Sequence, residues 1–270
     1  MRKAAHGGVP HGIVDRNHHG SGQVEVSVVV PVRNEAENIE PLLDEIRAAL
    51  DGRLAYEVVY VDDGSTDTTP ARLIAAAAEF PRLRVIRHVE PCGQSAALWS
   101  GVRAARAPWI ATLDGDGQND PADIPRLLAV LRDASAPQTL RLVTGHRRKR
   151  RDSALKRLSS RIANGVRARL LDDRTPDTGC GLKLIRRETY LALPFFDHMH
   201  RFLPALVQRE GGATVSVEVK HRARTRGRSN YGMHDRLWAG IVDLIGVLWL
   251  KRRMKHPRIV DNAMSRADAH

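Results

Sequence analysis

Residues 112–121 read Thr-Leu-Asp-Gly-Asp-Gly-Gln-Asn-Asp-Pro, directly after the apolar run Trp109-Ile110-Ala111. Two carboxylates one residue apart, Asp114 and Asp116, repel each other and resist burial unless a cation stands between them. At a strand tip they offer two hard oxygen ligands, with Gly115 admitting a ligand closely and Gln118 able to add a carbonyl oxygen. That donor set suits Mg2+ or Mn2+, which bind through one or two carboxylates plus a substrate's phosphates. Taken alone, however, Asp-x-Asp is weak, and a solvated Asp/Gly turn accounts for it more simply. Asp62-Asp63-Gly64-Ser65-Thr66-Asp67 has a similarly plain account, an Asx-type turn with Ser65 or Asp67 capping the next helix. Asp63 is also of the right type to accept a nucleobase N–H.

The elements that must carry these groups alternate. Val26–Val30 is a β-branched run suited to a strand buried on both faces. From Glu35 to Leu50 the apolar residues Ile39, Leu42, Leu43, Ile46 and Leu50 recur at helical spacing, and Gly52 stops the helix. Strands follow at the start of 56–65, at 83–87 and at 109–113, and helices at 70–80, 95–105 and 123–131. This order predicts an α/β fold with a mostly parallel sheet flanked by helices. Ligands of such sheets sit beyond the carboxyl ends of the strands. Arg33-Asn34-Glu35, Asp62-Asp63 and Asp114–Asp116 all fall at those ends. One rim therefore gathers polar groups from three strands. Later segments read as a basic, helical stretch at 144–171, a turn, strand and helix start at 176–193, and an alternating strand leading into a Gly/Arg loop at 215–232.

A chain of 270 residues, 42% hydrophobic and 27% charged, has ample length for a globular core. Lysine and arginine number 43 against 31 acidic residues, so the net charge is +12. That surplus calls for an anionic partner: nucleic acid, an anionic membrane or a phosphorylated substrate. Aromatics make up only 4% and do not interleave with the basic groups, which argues against nucleic acid. Cys92 and Cys180 lack metal-ligand spacing and fit a reduced, cytosolic chain, a single disulfide being the alternative. The N-terminal stretch has no apolar run of signal-peptide length, and no run of 18 apolar residues occurs anywhere.

Four pieces, Val26–Ile39, Val58–Asp67, Gly93–Ala105 and Thr112–Pro121, resemble the glycosyltransferase family 2 enzymes in order and spacing. The resemblance implies the nucleotide-sugar-binding fold called GT-A. It further implies a nucleotide held by Pro31, Arg33, Asn34, Glu35, Glu37, Val61, Asp63, Asp114 and Gly115, and Mn2+ or Mg2+ on Asp114, Asp116 and Gln118. The second half, with Val-Thr-Gly-His-Arg at 143–147 and Asp177-Thr178-Gly179-Cys180-Gly181-Leu182-Lys183, is similar to the dolichyl- and polyprenyl-phosphate branch of that family. A loop at 221–232 matches the branch's Arg-x-x-Gly-x-Ser pattern with Arg224, Gly227 and Ser229; Asn230 stands where a lysine is more usual. By motif position Arg147, Arg161, Arg224 and Ser229 are expected to hold donor and acceptor phosphates, with Asp116, Arg161 and Arg224 central to catalysis. A guanidinium suits that task because it stays charged and grips phosphate bidentately.

These residues imply an inverting, metal-dependent glycosyltransferase that moves a sugar from a nucleotide diphosphate (UDP or GDP) to a polyprenyl phosphate. A glycan or glycolipid hydroxyl is the alternative acceptor, with Asp177 near where such relatives keep a base. A nucleic-acid-binding protein and a silent scaffold are more distant rivals. The expected organisation is a disordered tail at 1–23, a catalytic domain at 24–232 and a basic helical appendage at 233–270. In the appendage, 237–250 carries only Asp243 as a charge, places Trp238 and Trp249 near its ends and precedes Lys-Arg-Arg. It reads as a membrane-interface helix on an anionic cytosolic surface, or as a core or dimer helix. Peripheral attachment of a cytoplasmic protein is the expectation, and a homo-oligomer is the other possibility for that helix.

Overall fold

The computed structural model describes residues 23–147, 165, 167–173, 175–223 and 235–255, with side chains of the last helix from residue 240. Its centre is a seven-stranded sheet: β1 (Val26–Val32), β2 (Tyr56–Asp62), β3 (Leu83–Arg87), β4 (Trp109–Thr112), β5 (Leu140–His146), β6 (Lys183–Arg186) and β7 (Ala213–Glu218). The order is β3-β2-β1-β4-β6-β5-β7. All pairs are parallel except those of β6, which runs antiparallel to β4 and β5. This is the predicted α/β fold.

Strand periodicity explains why the first strands read as largely apolar runs, interrupted by Ser27 and Glu57, which satisfy each other through a buried hydrogen bond of 2.7 Å. Val26, Val28, Val30 and Val32 face one core and Val29 the other; Tyr56, Val58 and Tyr60 oppose Val59 and Val61 in the same way. Helices α1 (Ile39–Leu50), α2 (Thr69–Glu79) and α4 (Ile124–Arg132) cover the first face through Ile46, Leu73 and Leu127. Helices α3 (Gln94–Ala104), α5 (Arg187–Ala192), α6 (Leu203–Arg209) and α7 (Asp235–Arg253) cover the second through Leu98, Tyr190, Leu206 and Val247. Each fully buried side chain of this kind contributes about 1.5–3 kcal/mol.

Two expectations need correction. Residues 144–146 are not helical, because they end β5. Leu142 and Val143 are both fully buried, on opposite faces, between β6 and β7. The basic residues that follow hid this strand from a reading by charge. Of the remaining basic stretch, 167–171 is helical and 148–164 lies outside the described residues. Second, α1 and α4 are each led in by a 3-10 turn, Ala36–Asn38 and Pro121–Asp123, rather than starting as α-helix. Of the two residues expected at the start of α2, Asp67 serves it: its carboxylate accepts the Thr69 N–H at 2.9 Å, while Ser65 Oγ accepts from Asn34 N.

Helix α7 contains the apolar 237–250 segment. Val247 is buried, and Leu244, Leu248 and Leu250 pack against the second core. Asp243 faces His198 Nδ1 at 2.9 Å, and Arg209 Nε donates to Leu250 O at 3.2 Å. Its other side exposes Ile241, Val242, Ile245 and Trp249. Among the described residues, no helix is long and apolar enough to cross a membrane.

Candidate active site

The strand order reverses between β1 and β4, which creates a crevice at their carboxyl ends. Arg33, Asn34 and Glu35 follow β1, Asp63 follows β2 and Asp114–Asp116 follow β4. Six of the predicted groups thus share one rim, although the loops bearing them are 30 to 80 residues apart in sequence.

The first two loops are bound to each other. Asn34 takes a left-handed conformation, φ 54°. Its backbone N–H donates to Ser65 Oγ at 2.9 Å and its Oδ1 accepts the Thr66 N–H at 2.8 Å. Glu35 is buried, donates its N–H to Thr69 Oγ1 at 3.0 Å and accepts from Asn38 Nδ2 at 2.5 Å. Arg33 and Glu37 are exposed. Pro31 and Val61 stand opposite each other in the β1–β2 ladder, with Val61's side chain fully buried in the second core.

Asp63 is buried under the loop before α3. Its carboxylate accepts the N–H groups of Cys92 and Gly93, each at 2.8 Å, and faces His88 Nδ1 at 2.8 Å. His88 Nε2 contacts Ser100 Oγ at 2.9 Å. Gly64 permits this close approach: at φ +66° a β-carbon would lie 2.7 Å from Glu90 C and Pro91 N.

Asp114 carries the strongest electrostatic signal. Burial raises its pKa, and the neighbouring Asp116 charge raises it further; Lys183, Arg147 and a hydrogen bond from Gln94 oppose the rise. Gln94 Nε2, at the first residue of α3, reaches Asp114 Oδ1 at 2.8 Å. The carboxyl group lies against Gly181, where any β-carbon would overlap it, and Gly115 packs equally tightly against Pro31 O and Val32. Asp116 accepts the Gln118 N–H at 3.1 Å. Gln118 Nε2 donates to Arg222 O at 3.3 Å, a role that leaves Oε1 as the atom for a cation. Two mutually repelling carboxylates and an amide oxygen make a hard-oxygen set that fits Mg2+ or Mn2+. Asp114, Asp116 and Gln118 would hold the ion.

Lys183 and Gln94 escaped the sequence reading. Lys183 is buried and donates to Cys180 O, and burial pushes its pKa down despite the nearby Asp114 and Asp177. A lysine leading directly into the apolar pair Leu184-Ile185 was the available signal. Near it, His200 Nδ1 contacts Ser95 Oγ at 2.7 Å; burial, together with Lys183, Arg201 and His198, keeps the ring neutral by pulling its pKa far down.

Arg147 sits at the end of β5 in a bidentate pair with buried Asp177: Nε to Oδ2 at 2.7 Å and Nη2 to Oδ1 at 2.9 Å. The backbone N–H of Arg147 adds a third bond to Oδ2 at 3.2 Å. Both Asp177 oxygens therefore serve Arg147, whose pKa rises because this pairing outweighs its burial. Arg161, Arg224 and Ser229 lie outside the described residues, as does the 224–234 part of their loop.

Comparison with known proteins adds three findings. The model of glycosyl transferase family 2 matches residues 27–192. Dodecaprenyl-phosphate galacturonate synthase of Rhizobium johnstonii is 36% identical over 248 residues, covering 87% of this chain and 69% of its own. Undecaprenyl-phosphate 4-deoxy-4-formamido-L-arabinose transferase of Edwardsiella ictaluri is 35% identical over 211 residues, 77% of this chain and 63% of its own. The chain thus spans about two thirds of the length of these relatives. Among solved structures, glucosyl-3-phosphoglycerate synthase of Mycobacterium tuberculosis, in complex with Mn2+, UDP and glucosyl-3-phosphoglycerate, superimposes with a TM-score of 0.62. It shares 24% identity and covers 86% of this chain and 81% of its own, which is a likeness of fold. The same enzyme is known with Mg2+ and UDP, TM-score 0.62.

Proposed function

This chain belongs to glycosyl transferase family 2, and from that premise we propose that it transfers a sugar from a nucleotide diphosphate sugar to a polyprenyl phosphate. The observation that carries the reading is the convergence of Asn34, Asp63, Asp114 and Asp116 on one rim at the β1/β4 crevice. Similarity to enzymes acting on dodecaprenyl and undecaprenyl phosphate supports the acceptor.

A cation on Asp114, Asp116 and Gln118 would neutralise the departing diphosphate. Arg33, Asn34, Glu35 and Asp63 are the residues assigned to the nucleotide, which is UDP or GDP. The acceptor phosphate is already anionic at neutral pH. Its oxygen attacks C1 directly as the bond from C1 to the diphosphate oxygen breaks, the electron pair leaves with the diphosphate, and the configuration inverts. No general base is required, and the pairing of Asp177 with Arg147 agrees: Asp177 positions the arginine that meets a phosphate. Arg161, Arg224 and Ser229 remain assigned to donor and acceptor phosphates by motif position alone.

We further assign residues 24–232 to catalysis and the final helix to attachment at the anionic cytosolic surface of a membrane. Exposed Ile241, Val242, Ile245 and Trp249, followed by Lys251, Arg252 and Arg253, combine an apolar stripe with a basic end. The test is nucleotide release with Mn2+, a panel of UDP- and GDP-sugars, and polyprenyl phosphate present or absent, alongside Asp116→Ala. Release that needs the lipid phosphate and vanishes in the variant is expected. Release indifferent to the lipid would transfer the assignment to a hydroxyl acceptor.

A further inference from the structure

A second group of metal-ligating side chains lies on the same rim, on the far side of β1 from Asp114. Asp63, His88 and Cys92 each offer one ligand atom, and these atoms all lie within 4.8 Å of one another. They come from three separate positions: the end of β2, the residue after β3, and the loop before α3. We propose that Asp63, His88 and Cys92 form a Zn2+ site, distinct from the Asp114–Asp116 pair, whose occupation blocks the nucleotide.

The chemistry of the donors selects the ion. An oxygen, an imidazole nitrogen and a thiolate sulfur suit Zn2+, whereas the carboxylates and amide at Asp114–Gln118 suit Mg2+ or Mn2+. Three protein ligands leave the fourth tetrahedral position to water. Two of the ligands are already held from behind, as metal ligands usually are. Ser100 Oγ contacts His88 Nε2 at 2.9 Å, which turns Nδ1 toward Asp63. The Cys92 and Gly93 N–H groups fix the Asp63 carboxylate. Cys92 is exposed, so the ion has an entry path from solvent.

Binding requires a small rearrangement and one lost proton. Asp63 Oδ1 and His88 Nδ1 are now 2.8 Å apart across a hydrogen bond. Zinc bonds of ~2.0–2.3 Å at tetrahedral angles hold ligands about 3.3–3.6 Å apart, so the ring must swing out by roughly half an ångström. The imidazole stays neutral: its proton passes from Nδ1 to Nε2, where it is donated to Ser100 Oγ, and Nδ1 takes the ion. The Cys92 thiol, now 3.4 Å from Glu90 O, loses its proton to buffer. Each Zn2+ therefore releases one proton.

The inhibitory consequence rests on the assignment of Asp63 to the nucleotide; the site itself does not. Co2+ is the probe, titrated into the full chain after chelation, because a cobalt–thiolate bond gives a near-ultraviolet charge-transfer band that carboxylates and histidines do not. A band reaching one equivalent, abolished by excess Zn2+, retained in Asp116→Ala and absent from Cys92→Ser is expected. Ser100→Ala should weaken binding about 10- to 100-fold, with one proton released per ion in the wild type. Absence of the band in the wild type overturns the proposal. So does its persistence in Cys92→Ser, which would put the thiolate at Cys180. In a second arm, Zn2+ should displace UDP from the wild type and not from Cys92→Ser. Failure of any nucleotide to bind would instead count against the proposed function and leave the cobalt result to stand by itself.

Discussion

The carboxyl group of Asp114 lies directly against the α-carbon of Gly181, with no room for a β-carbon between them. Gly181 precedes β6, which runs antiparallel to both its neighbours, so a residue about 70 positions away in sequence sets where the carboxylate proposed to hold the cation can stand. Thr112 Oγ1 reinforces the contact by donating to Gly181 O at 2.6 Å.

Gly181→Ala should therefore displace Asp114 rather than unfold the chain, because a short side chain at the sheet rim can swing away. Loss of support for a ligand typically weakens metal binding about 10- to 100-fold. Calorimetric titration with Mn2+ should show that loss, with a melting temperature lowered by only a few degrees. Unchanged Mn2+ affinity would contradict the arrangement.

Asp116→Asn should raise the melting temperature of the metal-free protein. Asp114 has a folded-state pKa above its ordinary value, through burial and then the Asp116 charge. An acid shifted upward in this way destabilises the fold at neutral pH, and stability returns as pH falls through the raised pKa. Removing the Asp116 charge relieves part of that strain, and asparagine can still accept the Gln118 N–H. Each kcal/mol recovered corresponds to about 2–4 °C. Added Mn2+ should then stabilise the wild type and not the variant. A fall in the metal-free melting temperature would argue against repulsion between the two aspartates.

The pH dependence of folding should carry the signature of His200. Its pKa is depressed well below the ordinary value, first by burial and then by Lys183, Arg201 and His198. A base shifted downward contributes stability that is complete above the unfolded value, about 6.5, and is lost as pH falls below it. The slope contributed is up to ~1.4 kcal/mol per pH unit. Urea titrations at about pH 7 and about pH 5.5 should show a smaller difference in His200→Gln than in the wild type. Equal differences would mean that the ring charges in the folded state.

Asp177→Asn discriminates an anchor from a base. If Asp177 only holds Arg147, the variant should raise KM for the acceptor phosphate and leave most of kcat. Loss of a general base would instead remove about 10²- to 10⁴-fold from kcat. Because both partners are nearly buried, breaking the pair also costs about 3–5 kcal/mol in stability. Measurement below the melting temperature keeps the kinetic comparison clean.

Ile245→Asp should leave the fold intact, since Ile245 is 61% exposed, yet release the protein from anionic vesicles. Arg252→Ala and Arg253→Ala should each weaken sedimentation with phosphatidylglycerol vesicles by about 1 kcal/mol, roughly fivefold, and the effect should shrink at high salt. Unchanged binding of all three variants would exclude this helix as the attachment surface.

The sheet, its parallel character and the rim of the first three strands were legible in the sequence because they rest on local patterns. A strand buried on both faces must be predominantly apolar, as Val26–Val32 and Tyr56–Asp62 are apart from the mutually hydrogen-bonded Ser27 and Glu57 and the terminal Asp62, and a strand-to-helix connection must place its polar residues at the carboxyl end. β5 was not legible. Its burial depends on β6 and β7, and the basic residues after it imitate a helix surface. Lys183 and Gln94 were equally hidden, since their importance lies in neighbours 69 and 20 residues away.

Sequence by itself determined which residues stand at strand ends and what ligand chemistry those residue types allow. Tertiary structure alone decided which charges meet: Asp114 with Lys183 beneath it, Asp177 locked to Arg147, and Asp63 beside His88 and Cys92. The physical reason is range. Backbone propensity and hydrophobic period act over a few residues, whereas Coulomb energy and desolvation depend on distance through space, which only the packed fold sets.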